Sequence, residues 1–218
     1  MRRLDRSAPG ADIARAVWVR RFDCWAADYD TSQLQTVLYG PVHEAVLRYA
    51  RLYIPRSGRI LDVGCGTGRL PARIVSAYQE AQVVGIDAST EMIKNAVAAP
   101  DIHPLRYACA VAEHLPFADA VFDLVVVTLS VSHWLGKTAG LAEISRVMAP
   151  GATLIAADVL PPPLPRRFPV RVPGRRLDLT QGLPSLIIAG GLRIHHVEPI
   201  RSIAIAVNTV LVAARKPS

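Results

Sequence analysis

Ile60-Leu61-Asp62-Val63-Gly64-Cys65-Gly66-Thr67-Gly68 carries an apolar strand into three alternating glycines. Nineteen residues after Gly68, the run Val83-Val84-Gly85-Ile86-Asp87 ends a second apolar stretch on a lone carboxylate. Together these signals describe a site for a ligand that contains a nucleoside. Glycines allow close backbone approach, and an acid at the end of the second strand can accept from two ribose hydroxyls. A dinucleotide site needs G-x-G-x-x-G, which would put its third glycine at position 69. That position is Arg69, and the third glycine is Gly68. Asp62 stands two residues before the first glycine. A carboxylate there repels a pyrophosphate and attracts a ligand ammonium, directly or through water. The residues therefore suit a nucleoside with a positively charged amino acid tail.

Ile60 to Gly68 resembles motif I of the class I S-adenosylmethionine-dependent methyltransferases. The resemblance implies S-adenosyl-L-methionine as cofactor and S-adenosyl-L-homocysteine as product. It implies that Gly64, Gly66 and Gly68 let the backbone pass close to the methionine portion, with the small Cys65 inside the loop. Thr67 and the following helix N-terminus would donate to the ligand carboxylate, Asp62 would sit near the ammonium, and Asp87 would hold the ribose. Asp87-Ala88-Ser89-Thr90-Glu91-Met92 is similar to the family's pattern after strand two, in which Met92 packs beside the adenosine. Val111-Ala112-Glu113-His114-Leu115-Pro116-Phe117 resembles a segment of the methyltransferase type 11, quinone-biosynthesis-like branch. Val111 replaces the aspartate common there, so adenine recognition falls to the backbone at Ala112 and Glu113 or to the Glu113 side chain. Arg146-Val147-Met148-Ala149-Pro150-Gly151 resembles the family's turn into strand five, with Ala152 in place of a second glycine. Phe22 to Asp30 resembles its entry helix, in which Tyr29 can close over the cofactor.

The apolar pattern predicts helices over Asp12–Tyr29, with Asp12 as N-cap, and over Val42–Tyr53. From Arg59 strands and helices alternate: strands at 59–64, 82–87, 104–110, 121–128 and 152–158, and helices at 68–79, from Ser89 or Thr90 to Ala98, and at 137–148. Runs this continuously apolar fit a parallel sheet covered on both faces. Strands six (192–199) and seven (203–213) are separated by hairpin length and should be antiparallel. The expectation is a doubly wound α/β fold of seven strands. The order 3-2-1-4-5-7-6, with strand seven antiparallel, comes from the resemblance. One domain is expected, with an N-terminal helical cap (1–55), a cofactor-binding core (56–158), a loop and helix near the acceptor (159–190) and a C-terminal hairpin (191–218).

The chain has 218 residues, a suitable length for one such domain. No apolar stretch is long enough to span a bilayer, and no apolar region follows the basic start, so neither a transmembrane helix nor a signal peptide is expected. Cys24, Cys65 and Cys109 lack metal-ligand spacing and read as reduced thiols of a cytoplasmic protein. The net charge of +7 is carried by 22 Arg and only three Lys, mostly dispersed, so nucleic acid is not the expected partner. Six prolines and five arginines fill 159–176, where no regular element survives. Those arginines point to an anionic feature on the acceptor, a carboxylate, a phosphate or a lipid surface. The end of strand four offers Thr128, assigned to the cofactor side, and Ser130, Ser132, His133 and Trp134. His133 is the best base by chemistry and, with Tyr29, the catalytic candidate. No carboxylate cluster for a metal is evident. The expected activity is methyl transfer to a small-molecule or lipid-like acceptor. A nicotinamide-dependent oxidoreductase and a non-catalytic cofactor-binding module are the rivals.

Overall fold

The computed structural model describes residues 9–54, 57–99, 104–160, 182–200 and 208–217. Helix α1 (Pro9–Trp25) is followed by turns and a π-helical stretch (Gln35–Tyr39) that runs into α2 (Gly40–Ala50). Strands and helices then alternate: β1 (Arg59–Val63), α3 (Arg69–Ala77), β2 (Gln82–Asp87), α4 (Thr90–Ala98), β3 (Leu105–Cys109), β4 (Phe122–Thr128), α5 (Lys137–Val147) and β5 (Met148–Leu160). The described chain closes with α6 (Leu183–Ala189), β6 (Arg193–Ile200) and β7 (Asn208–Arg215). One seven-stranded sheet has the order β3-β2-β1-β4-β5-β7-β6. The first five strands are parallel, and β7 runs antiparallel to both β5 and β6.

The continuous apolar runs are explained by two cores, one on each face. Leu61, Val125, Val127, Leu154 and Ala156 face α5 and α6, where Leu141, Ile144 and Ile187 meet them. Their neighbours Ile60, Leu124, Val126, Ile155 and Ala157 face α2 and α3, against Val42, Val46, Leu70 and Ile74. Alternate residues of one strand thus enter opposite cores, which gives the strands their near-continuous apolar runs. Each large side chain buried this way contributes about 1.5–3 kcal/mol.

Several boundaries differ from the sequence expectation. Helix α1 begins at Pro9, so Asp12 lies inside it and does not cap it. Proline is well suited to a first helical turn, where its missing N–H costs nothing. The helix also ends at Trp25, not Tyr29. Strand β5 starts at Met148, not at residue 152. Met148 pairs with Phe122, the ladder is then interrupted at Gly151 (φ +76°), and pairing resumes between Leu124 and Thr153. Strand β7 is described from Asn208, and residues 203–207 lie outside the described residues, as do Pro100 and the segment 161–181.

The loop leaving β1 is shaped by its glycines. Gly64 and Gly68 both have φ +82°. A Cβ on Gly68 would stand 2.2 Å from the Tyr107 hydroxyl, and one on Gly64 would stand 2.4 Å from Ser130 Oγ. Backbone strain and steric overlap thus exclude any other residue. Gly68→Ala should destabilise the protein by about 1–3 kcal/mol. Urea unfolding followed by circular dichroism measures this, and an unchanged midpoint would contradict the geometry.

Candidate functional site

The glycine loop is fastened to the end of β2 by backbone and side chain together. Gly64 N and Cys65 N both donate to Ile86 O, at 2.8 and 2.9 Å. Gly66 N donates to Asp87 Oδ2 at 2.9 Å, and Ser89 N donates to Asp87 Oδ1 at 2.8 Å. Burial raises Asp87 above the usual carboxylate range, and these N–H groups oppose the shift. Ser89 caps α4 by accepting from Met92 N at 3.2 Å, and its hydroxyl donates to Asp23 Oδ1 of α1 at 2.5 Å. Asp23's part carries no local sequence signal. Its partner is 66 residues away, so no local spacing reveals it.

A cleft opens over this loop. Of the residues expected at the cofactor, Gly64, Gly66, Asp87, Ala88, Met92, Ala112, Glu113 and Thr128 line it. Asp62, Cys65, Thr67 and Gly68 are not among the lining residues. The Thr67 hydroxyl donates to Asp30 Oδ1 at 2.7 Å, so its proton is used within the protein. Cys65 is buried, and that burial raises its thiol well above the ordinary value. Cys24, Cys65 and Cys109 are all free. Glu113 Oε1 accepts from Gly136 N at 2.9 Å and so holds the segment that carries Trp134 and Leu135, two further lining residues.

The edge of the cleft formed by residues 111–117 is set by Arg146. Its guanidinium donates to both Glu143 oxygens, to Leu115 O, to Phe117 O and to Asp119 Oδ1, at 2.7–3.0 Å. The planar fork suits these several acceptors at once. This accounts for an arginine just before the strand-five turn.

The other half of the cleft is aromatic. Tyr29, Tyr39, Trp18, Phe22, Trp134 and His133 line it. The Tyr29 ring lies 3.6 Å from where a Gly66 Cβ would be, and it packs edge-on against Trp25 and Tyr39. Burial, with the neighbouring Tyr39, raises the Tyr29 phenol far above its ordinary value, so Tyr29 is a neutral donor and not a base. His133 closes a 3-10 turn (Val131–His133), its ring 5.1 Å from that of Trp18 and 5.0 Å from that of Phe22. Burial lowers its pKa below 6.5, so the imidazole is neutral at pH 7. Tyr39 is a lining residue that the sequence did not signal, because it arrives from a π-helical turn far from the motifs.

Asp62 provides the test of whether these residues fit the cofactor. Both its oxygens are buried and without a hydrogen-bond partner among the described residues. Desolvation, with the charge of Asp87 nearby, pushes its pKa up to about 8. An unpartnered acid behind a glycine loop, and a second acid at the next strand end, fit a ligand with an ammonium at one end and a ribose at the other. Asp87, Met92, Ala112 and Glu113 would hold the nucleoside, and Gly64 and Gly66 would hold the amino acid portion.

A parallel sheet extended by an antiparallel β7, with this acid-flanked glycine loop at its edge, defines a class I S-adenosylmethionine-dependent methyltransferase. Residues 61–156 match the family described as a methyltransferase domain. It is 36% identical over 139 residues to malonyl-[acyl-carrier protein] O-methyltransferase of Hahella chejuensis, covering 64% of this chain and 48% of that one. It is 31% identical over 156 residues to demethylmenaquinone methyltransferase of Lactiplantibacillus plantarum, covering 68% and 65% respectively. The chain spans about half the length of most of the curated relatives it matches. The crystal structure of a SAM-dependent methyltransferase from Aquifex aeolicus shares the fold, with TM-score 0.68 and 19% identity, over 89% of this chain and 98% of that one. Among the described residues no helix is long and apolar enough to cross a membrane.

The raised pKa of Asp62 has a defined sign. Between about pH 4 and 8 the native state retains a proton that the unfolded state has lost, so this group's contribution to stability falls as pH rises. Asp62→Asn should flatten that slope in ligand-free protein. Denaturation midpoints measured from pH 5 to 8 decide it, and parallel curves for both proteins would show that Asp62 is ionised.

Proposed function

We propose that the protein transfers a methyl group from S-adenosylmethionine to a neutral hydroxyl-bearing small molecule or lipid-like acceptor, with His133 taking the acceptor's proton. The observation that carries this reading is the continuity of the cleft. Its Gly66–Asp87 half passes directly into an aromatic wall on which a neutral imidazole stands. When bound, the cofactor supplies an electrophilic methyl on a charged sulfonium. The protein's part is to align the acceptor and exclude water, worth up to ~7–11 kcal/mol in favourable cases. Trp18, Phe22 and Trp134 seat an apolar body, Tyr29 covers Gly66, and His133 accepts the proton that a hydroxyl must lose. The names of the relatives, one acting on a malonyl carrier protein and one on demethylmenaquinone, support acceptors of small-molecule or lipid-like kind. No Lys or Arg stands among the described lining residues. An anionic feature on the acceptor therefore rests on the arginines of 166–176, which lie outside the described residues. Three free cysteines support a cytoplasmic setting.

Transfer is read as S-adenosylhomocysteine formed with a demethylated hydroquinone or a simple phenol as acceptor. His133→Ala should lower kcat by about 10²–10⁴ with the working acceptor, while calorimetry shows unchanged cofactor affinity. An unaltered kcat would remove His133 from the chemistry. Asp87→Ala should weaken S-adenosylmethionine binding about 10- to 100-fold, the cost of charge-assisted hydrogen bonds. Equal affinity would mean that the nucleoside sits elsewhere.

A further inference from the structure

We propose that Asp158 is a positioning residue for His133, fixing the turn that presents the imidazole and holding a carboxylate at that turn. This rests on the reading that His133 takes the acceptor's proton. Asp158 lies near the end of β5, only 4% exposed, and makes no ion pair among the described residues. Its Oδ2 accepts from Ser132 N at 2.9 Å and its Oδ1 from Val159 N at 2.7 Å. A neutral side chain could accept from Ser132 N equally well, and a buried carboxylate without a cation is costly. Burial raises the Asp158 pKa, and the N–H groups of Ser132 and Val159 and the nearby His133 oppose that shift.

The preceding residue acts on the same segment. Leu129 leaves β4 in a left-handed conformation, φ +52°, with its N–H donating to Ala157 O at 2.7 Å. A non-glycine residue holds that conformation only when its surroundings enforce it. Ala157 and Asp158, successive residues of β5, thus hold Leu129 and Ser132 on either side of the bend, and His133 follows directly.

The charges around His133 come from three elements. Arg21 of α1 and Lys137 of α5 disfavour its protonation, as does burial. Asp158 of β5 is the group that favours it. The proton lost by an acceptor hydroxyl passes to a ring nitrogen of His133, and the charge of an ionised Asp158 favours the resulting imidazolium. Asp158 itself takes no proton in this step.

The test uses the full chain, isotopically labelled and bound to S-adenosylhomocysteine, with the His133 ring followed by NMR from pH 4 to 8. Asp158→Asn keeps an oxygen for Ser132 N and removes the charge. It should lower the His133 pKa by about one unit while leaving S-adenosylhomocysteine affinity unchanged. An unshifted His133 in a folded variant overturns the proposal. Should that variant not fold, the wild-type titration decides. The His133 signal should show a second, smaller inflection where Asp158 takes up its own proton, and a single inflection overturns the coupling. If a working acceptor is in hand, Asp158→Asn should move the acid limb of the kcat/KM profile to lower pH and reduce its plateau. Failure of the wild type to bind S-adenosylhomocysteine removes the underlying functional reading instead, a result separable from an unshifted histidine.

Discussion

The Asp87 carboxylate is the junction on which the site is assembled. One oxygen receives the N–H of Gly66 and the other that of Ser89, so the loop after β1 and the start of α4 are set against the same strand end. Ser89 passes the constraint on to α1 through Asp23. Four segments with no common local structure are thereby positioned by two side chains and one cap. The arrangement places an acid in a buried setting, where its desolvation is offset by backbone donors. A hydrophobic residue at 87 would leave two N–H groups without partners, at about 1–3 kcal/mol each.

Much of this was legible in the sequence because local pattern and global fold agree. Strand β2 occupies the expected 82–87, and Ser89 caps α4 as its residue type predicts. The strand order was implied by family resemblance and is the one observed. What could not be read depends on polar contacts between distant residues. Asp158 reaches a backbone N–H 26 residues earlier in the chain, and Asp30 reaches Thr67 across 37 residues. Neither has periodicity or a short motif to mark it. The start of β5 was misjudged for a related reason. Proline and glycine at 150–151 indicate a turn, and they do interrupt the ladder, but Met148 has already paired with Phe122.

The cleft's two halves differ in how their walls are secured. The glycine-loop half is built on the sheet and on Arg146, whose contacts to Leu115, Phe117 and Asp119 fix residues 115–119 against α5. The aromatic half is made of side chains from α1, the π-helical turn and the segment after β4. Its polar content is low, and its rings meet at angles between 47° and 76° around His133 and Tyr29. Tilted and edge-on contacts of this kind are preferred by aromatic quadrupoles.

The contact between Tyr29 and the space above Gly66 has a further consequence. A molecule seated there is covered by the chain segment from α1 to Tyr39. That segment is held to the sheet domain by the Asp23–Ser89, Ala26–Asn95 and Asp30–Thr67 hydrogen bonds. The Asp23–Glu91 and Asp30–Arg69 contacts hold the same segment. A cofactor that enters or leaves past this cover would need some of these contacts to open, and turnover by that route would have a ceiling set by a local opening of the N-terminal region. Hydrogen bonds that touch no reacting atom would then bear on how often the site is reloaded.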